Sequence, residues 1–356
     1  TNLNGVLYFG AEDGKSTAGI QLWRTTGAGG AELVTGIPYS AAQRFLPQGL
    51  TVAGDGVYFH ANGRLLKVNA TGASLVGEFL NPLLEGGAKN FANVNGTLYF
   101  GVGGGLWKTT GSPETAVLVQ DNLNPYGLTN INGTLYFRAN DGASGLELWK
   151  LEGTTPSRVA DINPGPAGSA PFGFVPVGSS VAFVADDGSH GSELWFTGGA
   201  APGTAMVKDI NTNTRDFTRG FQNEVAVNGF IYFFAHDHGD ADAALELWRT
   251  DGTTTSRVKA FGTPSSHPRG EYAGNLTNVN GILYFTANDG THGMELWRSD
   301  GTEAGTSLVL DIFQGPSGSN PSNLTNVSGK LFFAANDGFN GCELWKSDQS
   351  GTALVK

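Results

Sequence analysis

The sequence predicts an all-β protein built from eight copies of one four-stranded unit, and three observations carry that expectation. All seven Trp residues (23, 107, 149, 195, 248, 297 and 345) follow a Leu, and the last five sit in a Glu-Leu-Trp phrase led by Glu147, Glu193, Glu246, Glu295 and Glu343. From Trp107 onward they recur after 42, 46, 53, 49 and 48 residues, so the chain is a repeat array. No window holds a helical apolar period, and 54 Gly with 15 Pro in 356 residues argue against long helices.

Trp23 and Trp107 lie 84 residues apart, about twice the period, and the missing unit is found between them. There Val57-Tyr58-Phe59-His60-Ala61-Asn62-Gly63 leads to Leu65-Leu66-Lys67, with Leu66 in the Trp position. Each unit then reads as four apolar runs separated by turns. Run one is Leu-Thr-Asn-Val, closed by Asn-Gly at Asn95-Gly96, Asn132-Gly133 and Asn280-Gly281. Asn-Gly between apolar runs marks a tight hairpin because both residues accept positive φ. Run two is Leu-Tyr-Phe-x-Ala, run three Glu-Leu-Trp-Lys/Arg, and run four Ser/Thr-x-Leu-Val.

Four antiparallel strands per unit, repeated eight times, predict an eight-bladed β-propeller. A parallel solenoid normally uses shorter units with one or two strands per turn. Blades that pack on both faces also explain why the strands are apolar runs and not strict alternations. A buried Trp removes roughly 150–250 Å² from water, an upper bound of about 4–6 kcal/mol. Residues 1–356 are expected to form a single propeller domain, its ring closed by packing of blade eight on blade one. The blades span about 1–37, 38–79, 80–121, 122–162, 163–210, 211–261, 262–312 and 313–356. Thr1–Gly5 aligns with run one and Thr352–Lys356 with run four, so the natural chain is expected to continue past one or both ends.

The net charge is −11 with no basic stripe, which argues against nucleic acid. No apolar stretch reaches the ~20 residues of a membrane helix, which argues against insertion. The single Cys, Cys342, occupies a position held elsewhere by Leu146, Ser192 and Met294, and reads as a packing residue. Abundant Gly, Asn, Thr and Ser with few Lys fits a secreted bacterial repeat protein.

The phrase from Glu295 to Thr306, Glu-Leu-Trp-Arg-Ser-Asp-Gly-Thr-Glu-Ala-Gly-Thr, resembles the ELWxxDGT (hyalin-like) repeat of bacterial secreted and surface proteins, and Glu246 to Thr253 resembles it too. Glu343 to Asp348 follows the pattern and departs at Gln349; blades four and five keep Glu-Leu-Trp but lose the Asp, and blades one to three are degenerate. The resemblance implies a propeller outside the cytoplasm. It brings no catalytic residue, because the motif is a folding signature.

The hairpin between runs two and three repeats Asn-Asp-Gly or Asp-Asp-Gly at Asn140, Asp186, Asn288 and Asn336. Its oxygens suit a turn that caps its own amides, with Asn288 expected opposite Glu295. The same oxygens could contribute to a calcium site, which wants six to eight. Asp251 and Asp300 are expected to cap amides two residues on.

Blade six departs most from the pattern. Its hairpin carries His236, Asp237, His238, Asp240 and Asp242, the densest ligand cluster in the chain, which reads as a solvated acidic loop or as a site for Ca²⁺, Zn²⁺ or another divalent ion. The connectors on either side carry Arg215, Arg219 and Phe221, then Arg269 and Tyr272. Connectors and run-two-to-three hairpins leave a propeller on the same face, so these residues are expected to form one ligand site. Arg beside aromatics and carboxylates suits a protein or glycan. The leading expectation is therefore a non-enzymatic binding or scaffold propeller, secreted or on the cell surface and part of a longer chain or extracellular assembly. A metal-dependent hydrolase or lyase using the blade-six loop is the alternative from another class. A lectin with sugar sites between blades is a further form of the binding reading.

Overall fold

The computed structural model describes residues 1–12, 20–26, 29–37, 47–70, 72–79, 90–112, 115–210, 224–235, 245–261, 273–348 and 350–355. These form thirty-two strands in eight four-stranded antiparallel sheets, with one short 3₁₀ turn at Ala201–Gly203 and no α-helix among them. Within every sheet the strands are hydrogen-bonded in chain order. The chain divides into two compact units, Thr1–Ala170 and Pro171–Lys356. The first unit holds sheet one (Asn2 to Leu33), two (Gln48 to Glu78), three (Phe91 to Gln120) and four (Tyr126 to Arg158). The second holds sheet five (Phe172 to Met206), six (Val225 to Phe261), seven (Ala273 to Leu310) and eight (Ser322 to Leu354).

Sheet seven shows how the repeat folds. Its strands are Ala273–Val279, Ile282–Asn288, Met294–Ser299 and Ser307–Leu310. Asn280 (φ 52°) and Gly281 (φ 82°) join the first two, with the paired positive φ values of a type I′ turn. Phe285 then pairs with Trp297, as Phe100 pairs with Trp107 and Phe59 with Leu66. Leu66 therefore occupies the Trp position, as its spacing suggests.

Successive side chains along a strand point to opposite faces, and in sheet seven both faces are covered by neighbouring sheets of the same unit. Leu283, Phe285 and Trp297 of sheet seven pack against Tyr232, Phe234, Leu247 and Phe261 of sheet six. Tyr284 and Leu296 pack the other way, against Leu331, Phe333 and Trp345 of sheet eight. The first unit repeats the scheme: Tyr99 and Leu106 of sheet three meet Phe137 and Trp149 of sheet four. The Phe of run two is fully buried in sheets two to eight, at positions 59, 100, 137, 183, 233, 285 and 333. Each contributes about 1.5–3 kcal/mol of burial. Trp adds edge-on ring contacts, as between Trp297 and Phe261 at 5.1 Å.

Candidate functional site

The Glu of Glu-Leu-Trp is buried in sheets four to seven, and in sheets four, five and seven its carboxylate accepts amides of the connector that leads to the next sheet. Glu295 Oε1 accepts the amides of Phe313 (3.1 Å) and Ser319 (2.7 Å), and Oε2 accepts the Ser319 hydroxyl (2.6 Å). Glu147 does the same with Asn163 (3.2 Å) and Ser169 (3.0 Å to the amide, 2.6 Å to the hydroxyl). Burial pushes both carboxyls above the ordinary Glu range, against the pull of these donors. The connector also lies against the hairpin between the second and third strands. Gly145 meets Gly168 and Gly293 meets Gly318 so closely that a Cβ on any of them would overlap the other's backbone. Ala170 N–H donates to Leu146 O (2.9 Å) and Asn320 N–H to Met294 O (3.0 Å). Hairpin and connector therefore share one end of the sheet.

The rest of the repeated phrase is also occupied by packing. Trp297 Nε1 donates to Ala287 O at 3.1 Å, and Trp23, Trp195 and Trp345 make the same bond to Ala11, Ala185 and Ala335. Asp300 caps the turn that follows, accepting the Thr302 amide (2.8 Å) and hydroxyl (2.7 Å). Asp251 accepts the amides of Thr254 (2.7 Å) and Thr253 (2.8 Å). These donors lower both carboxyls from the ordinary Asp value, Asp251 far below it, with the Thr254 amide first for Asp251 and the Thr302 hydroxyl first for Asp300. Gly301 (φ 94°) lets Tyr232 and Arg249 of sheet six reach this turn: a Cβ there would overlap the Tyr232 hydroxyl and lie 2.6 Å from Arg249 Nη1.

The Asn-Asp-Gly hairpins are turns capped by their own side chains, and one expected pairing is corrected. Asn288 pairs with Met294, while Glu295 lies opposite Ala287. The five residues Asp289–Gly293 form the loop, and that register turns Glu295 to the connector and leaves Asn288 Oδ1 to accept the Gly290 amide (2.8 Å). Asp289 Oδ1 accepts the amides of Thr291 and His292, both at 2.9 Å, and its other oxygen meets His292 Nδ1 at 2.8 Å. Asp187 and His190 repeat the pair at 2.7 Å. Hydrogen bonding to Asp raises both His above the ordinary imidazole value. Among the described residues, no group of three or more His, Cys, Asp or Glu is arranged to hold a metal ion.

The residues expected to form the ligand site lie outside the described residues: Arg215, Arg219 and Phe221 in 211–223, His236, Asp237, His238, Asp240 and Asp242 in 236–244, and Arg269 and Tyr272 in 262–272. Their anchors are described. Leu245, the first described residue after the hairpin, pairs with Phe261, the last described residue before the second connector, so these two anchors lie at one end of sheet six. Sheet six is also wired differently below that end. Glu246 accepts Arg257 Nη1 at 2.6 Å and Trp248 Nε1 at 3.1 Å, where Glu147 and Glu295 accept connector amides.

Two surface features at connector ends escape the sequence reading. Phe339 is 92% exposed at the tip of the sheet-eight hairpin, where Ala143, Ser189 and Thr291 stand in other sheets. Tyr126, 52% exposed, enters sheet four with the Arg138 guanidinium 5.7 Å from its ring centre. A position-by-position comparison of the repeats reveals the first; the second needs the strand pairing of Tyr126 with Arg138.

No protein-family model and no curated protein matches the sequence. Among solved structures, one of prolyl endopeptidases is similar over 98% of this chain and 54% of that chain, at 11% identity and TM-score 0.50. A puromycin-hydrolyzing peptidase from Mycobacterium tuberculosis matches over 90% of this chain and 55% of its own, at 11% identity and TM-score 0.44. The extracellular domain of a putative one-component system from B. thetaiotaomicron matches over 98% and 44%, at 13% identity and TM-score 0.43. This chain thus spans about half the length of the peptidases it resembles, and the likeness is one of fold.

Proposed function

We propose that the protein is a non-enzymatic binding propeller that acts outside the cytoplasm and takes a protein or glycan on the connector end of sheet six. The pairing of Leu245 with Phe261 carries this reading, because these residues, which border the two segments that depart from the repeat, are neighbours at one end of sheet six. The Arg257–Glu246 pair in the same sheet supports it. The repeated phrase itself is committed to turns, connectors and packing, which leaves recognition to the segments that differ. Among the described residues no helix is long and apolar enough to cross a membrane.

The finer architecture belongs to the same proposal: eight blades around one axis, the eighth packed on the first. Such closure would cover two apolar positions, Leu344 and Leu7, each 45% exposed where Leu296 and Leu98 are fully buried.

The direct test is retention on immobilised polygalacturonate, an acidic polysaccharide, and on dextran, a neutral one. Retention on polygalacturonate that disappears in the Arg219→Ala/Arg269→Ala variant supports a glycan site at sheet six. Retention that survives those changes removes the site from these residues, and none on either matrix leaves a protein as the partner. A rise in melting temperature with Ca²⁺ or Zn²⁺, abolished by His236→Ala/His238→Ala, would favour the metal-dependent alternative.

A further inference from the structure

We propose that, among the Asn-Gly turns joining first and second strands, Asn228 is the preferred site of spontaneous deamidation, a chemical weak point in the link between sheets six and seven. Five Asn-Gly turns join first and second strands: Asn4-Gly5, Asn95-Gly96, Asn132-Gly133, Asn228-Gly229 and Asn280-Gly281. Their backbones are nearly identical, with φ of 51–52° at Asn and 82–85° at Gly. Deamidation begins when the Gly main-chain nitrogen gives up its proton and attacks the Asn Cγ. A new N–C bond closes a succinimide, the Cγ–Nδ2 bond breaks, and ammonia leaves. Water then opens the ring to Asp or to isoaspartate, whose main chain runs through Cβ. No other reactant is needed.

Four of the five turns guard the attacking nitrogen. The Gly N–H donates to the Oδ1 of the Asn three residues before it: Gly5 to Asn2 (2.9 Å), Gly96 to Asn93 (2.9 Å), Gly133 to Asn130 (3.0 Å) and Gly281 to Asn278 (2.9 Å). This bond opposes both loss of the proton and movement of the nitrogen toward Cγ. In sheet six the guarding position is Ala226, so the exposed Gly229 N–H has no side-chain acceptor among the described residues.

Asn280 is a close control. Its Nδ2 donates to Gly329 O in sheet eight (3.2 Å), just as Asn228 Nδ2 donates to Gly281 O in sheet seven (2.9 Å). The two side chains are held alike, and the acceptor for the Gly N–H is the difference. The nitrogen lost from Asn228 is the donor of the inter-sheet bond. Its product faces the Gly281 carbonyl with a carboxylate, so the link from that side chain ends with the reaction.

The test is peptide mapping by mass spectrometry after incubating the whole chain in mild alkali, with isoaspartate separated from Asp by chromatography. Loss of a hydrogen bond of ordinary net strength corresponds to about a fivefold change in rate, so Asn228 is expected to convert at least about fivefold faster than Asn280. Ala226→Asn should bring Asn228 down to the rate of Asn280, and Asn278→Ala should bring Asn280 up to that of Asn228. Thermal melts of both variants establish that the fold is retained. Ala226→Asn restores the repeat residue, so it keeps the test decisive should Asn278→Ala unfold. Equal rates at Asn228 and Asn280 in the native chain, or an Asn228 rate unchanged by Ala226→Asn, overturn the proposal. Asn62-Gly63 joins the second and third strands of sheet two, and Asn340-Gly341 lies in the hairpin loop of sheet eight, so both stand outside the comparison of first-to-second-strand turns.

Discussion

Glu295 and Ser319 form a two-point contact that joins three parts of the chain. The Glu295 carboxylate takes both the amide and the hydroxyl of Ser319, at 2.7 and 2.6 Å, while Ser319 O accepts the Asn336 amide of sheet eight at 2.9 Å. One connector residue thus fastens sheet seven to sheet eight. In sheet four, Glu147 holds Ser169 through the same two bonds.

Glu295→Ala should therefore be among the most damaging single substitutions. It leaves the Ser319 hydroxyl and the amides of Ser319 and Phe313 without their acceptor in a buried place, a loss of about 3 kcal/mol. Glu343→Ala, at a half-buried position in sheet eight, should change stability by less than about 0.5 kcal/mol. Urea unfolding of both variants is the check, and similar losses would count against the connector role.

Gly301→Ala separates backbone strain from packing. Ala at a positive φ with free space around it, as in Gly229→Ala, is expected to lose about 1 kcal/mol. At Gly301 the new methyl also meets Tyr232 and Arg249, which adds about 1–3 kcal/mol. If the two variants melt together, the turn of sheet seven does not depend on contact with sheet six.

His292 should titrate above its ordinary value of 6.5, because Asp289 favours the imidazolium. A folded-state pKa raised in this way adds stability that is complete below about 6.5 and is lost as pH rises through the folded value. NMR titration of the native chain and of Asp289→Asn reads this directly: the His292 midpoint should fall in the variant. An unmoved midpoint would mean that the pair is not formed in solution.

Leu344→Asp tests the ring. If sheet eight packs on sheet one, the substitution buries a charge and should lower stability by several kcal/mol, as Leu296→Asp would. A melting curve indistinguishable from that of the native chain would leave this face of sheet eight open.

The hairpin of sheet seven shows where the sequence could be read and where it could not. Asn280-Gly281 announces its own turn, since the two residues that need positive φ are adjacent and tolerate it. The loop after Asn288 gives no such cue to register. It contains five residues, and one step of pairing decides whether Glu295 faces Asn288 or the connector. The partners of Glu295 stand 17 to 24 residues downstream, beyond the range of any local pattern.

The number of units, the four runs in each and the Asn-Gly turns between the first two were determined by the sequence alone, because apolar runs, aromatic placement and turn chemistry act over a few residues. Only the tertiary structure decided what the buried Glu holds, which neighbouring sheet each of Leu and Trp faces, and why the Asp-Gly-Thr turn needs its Gly. Those are contacts between segments far apart in the chain, fixed by strand register and by the packing of one sheet on the next.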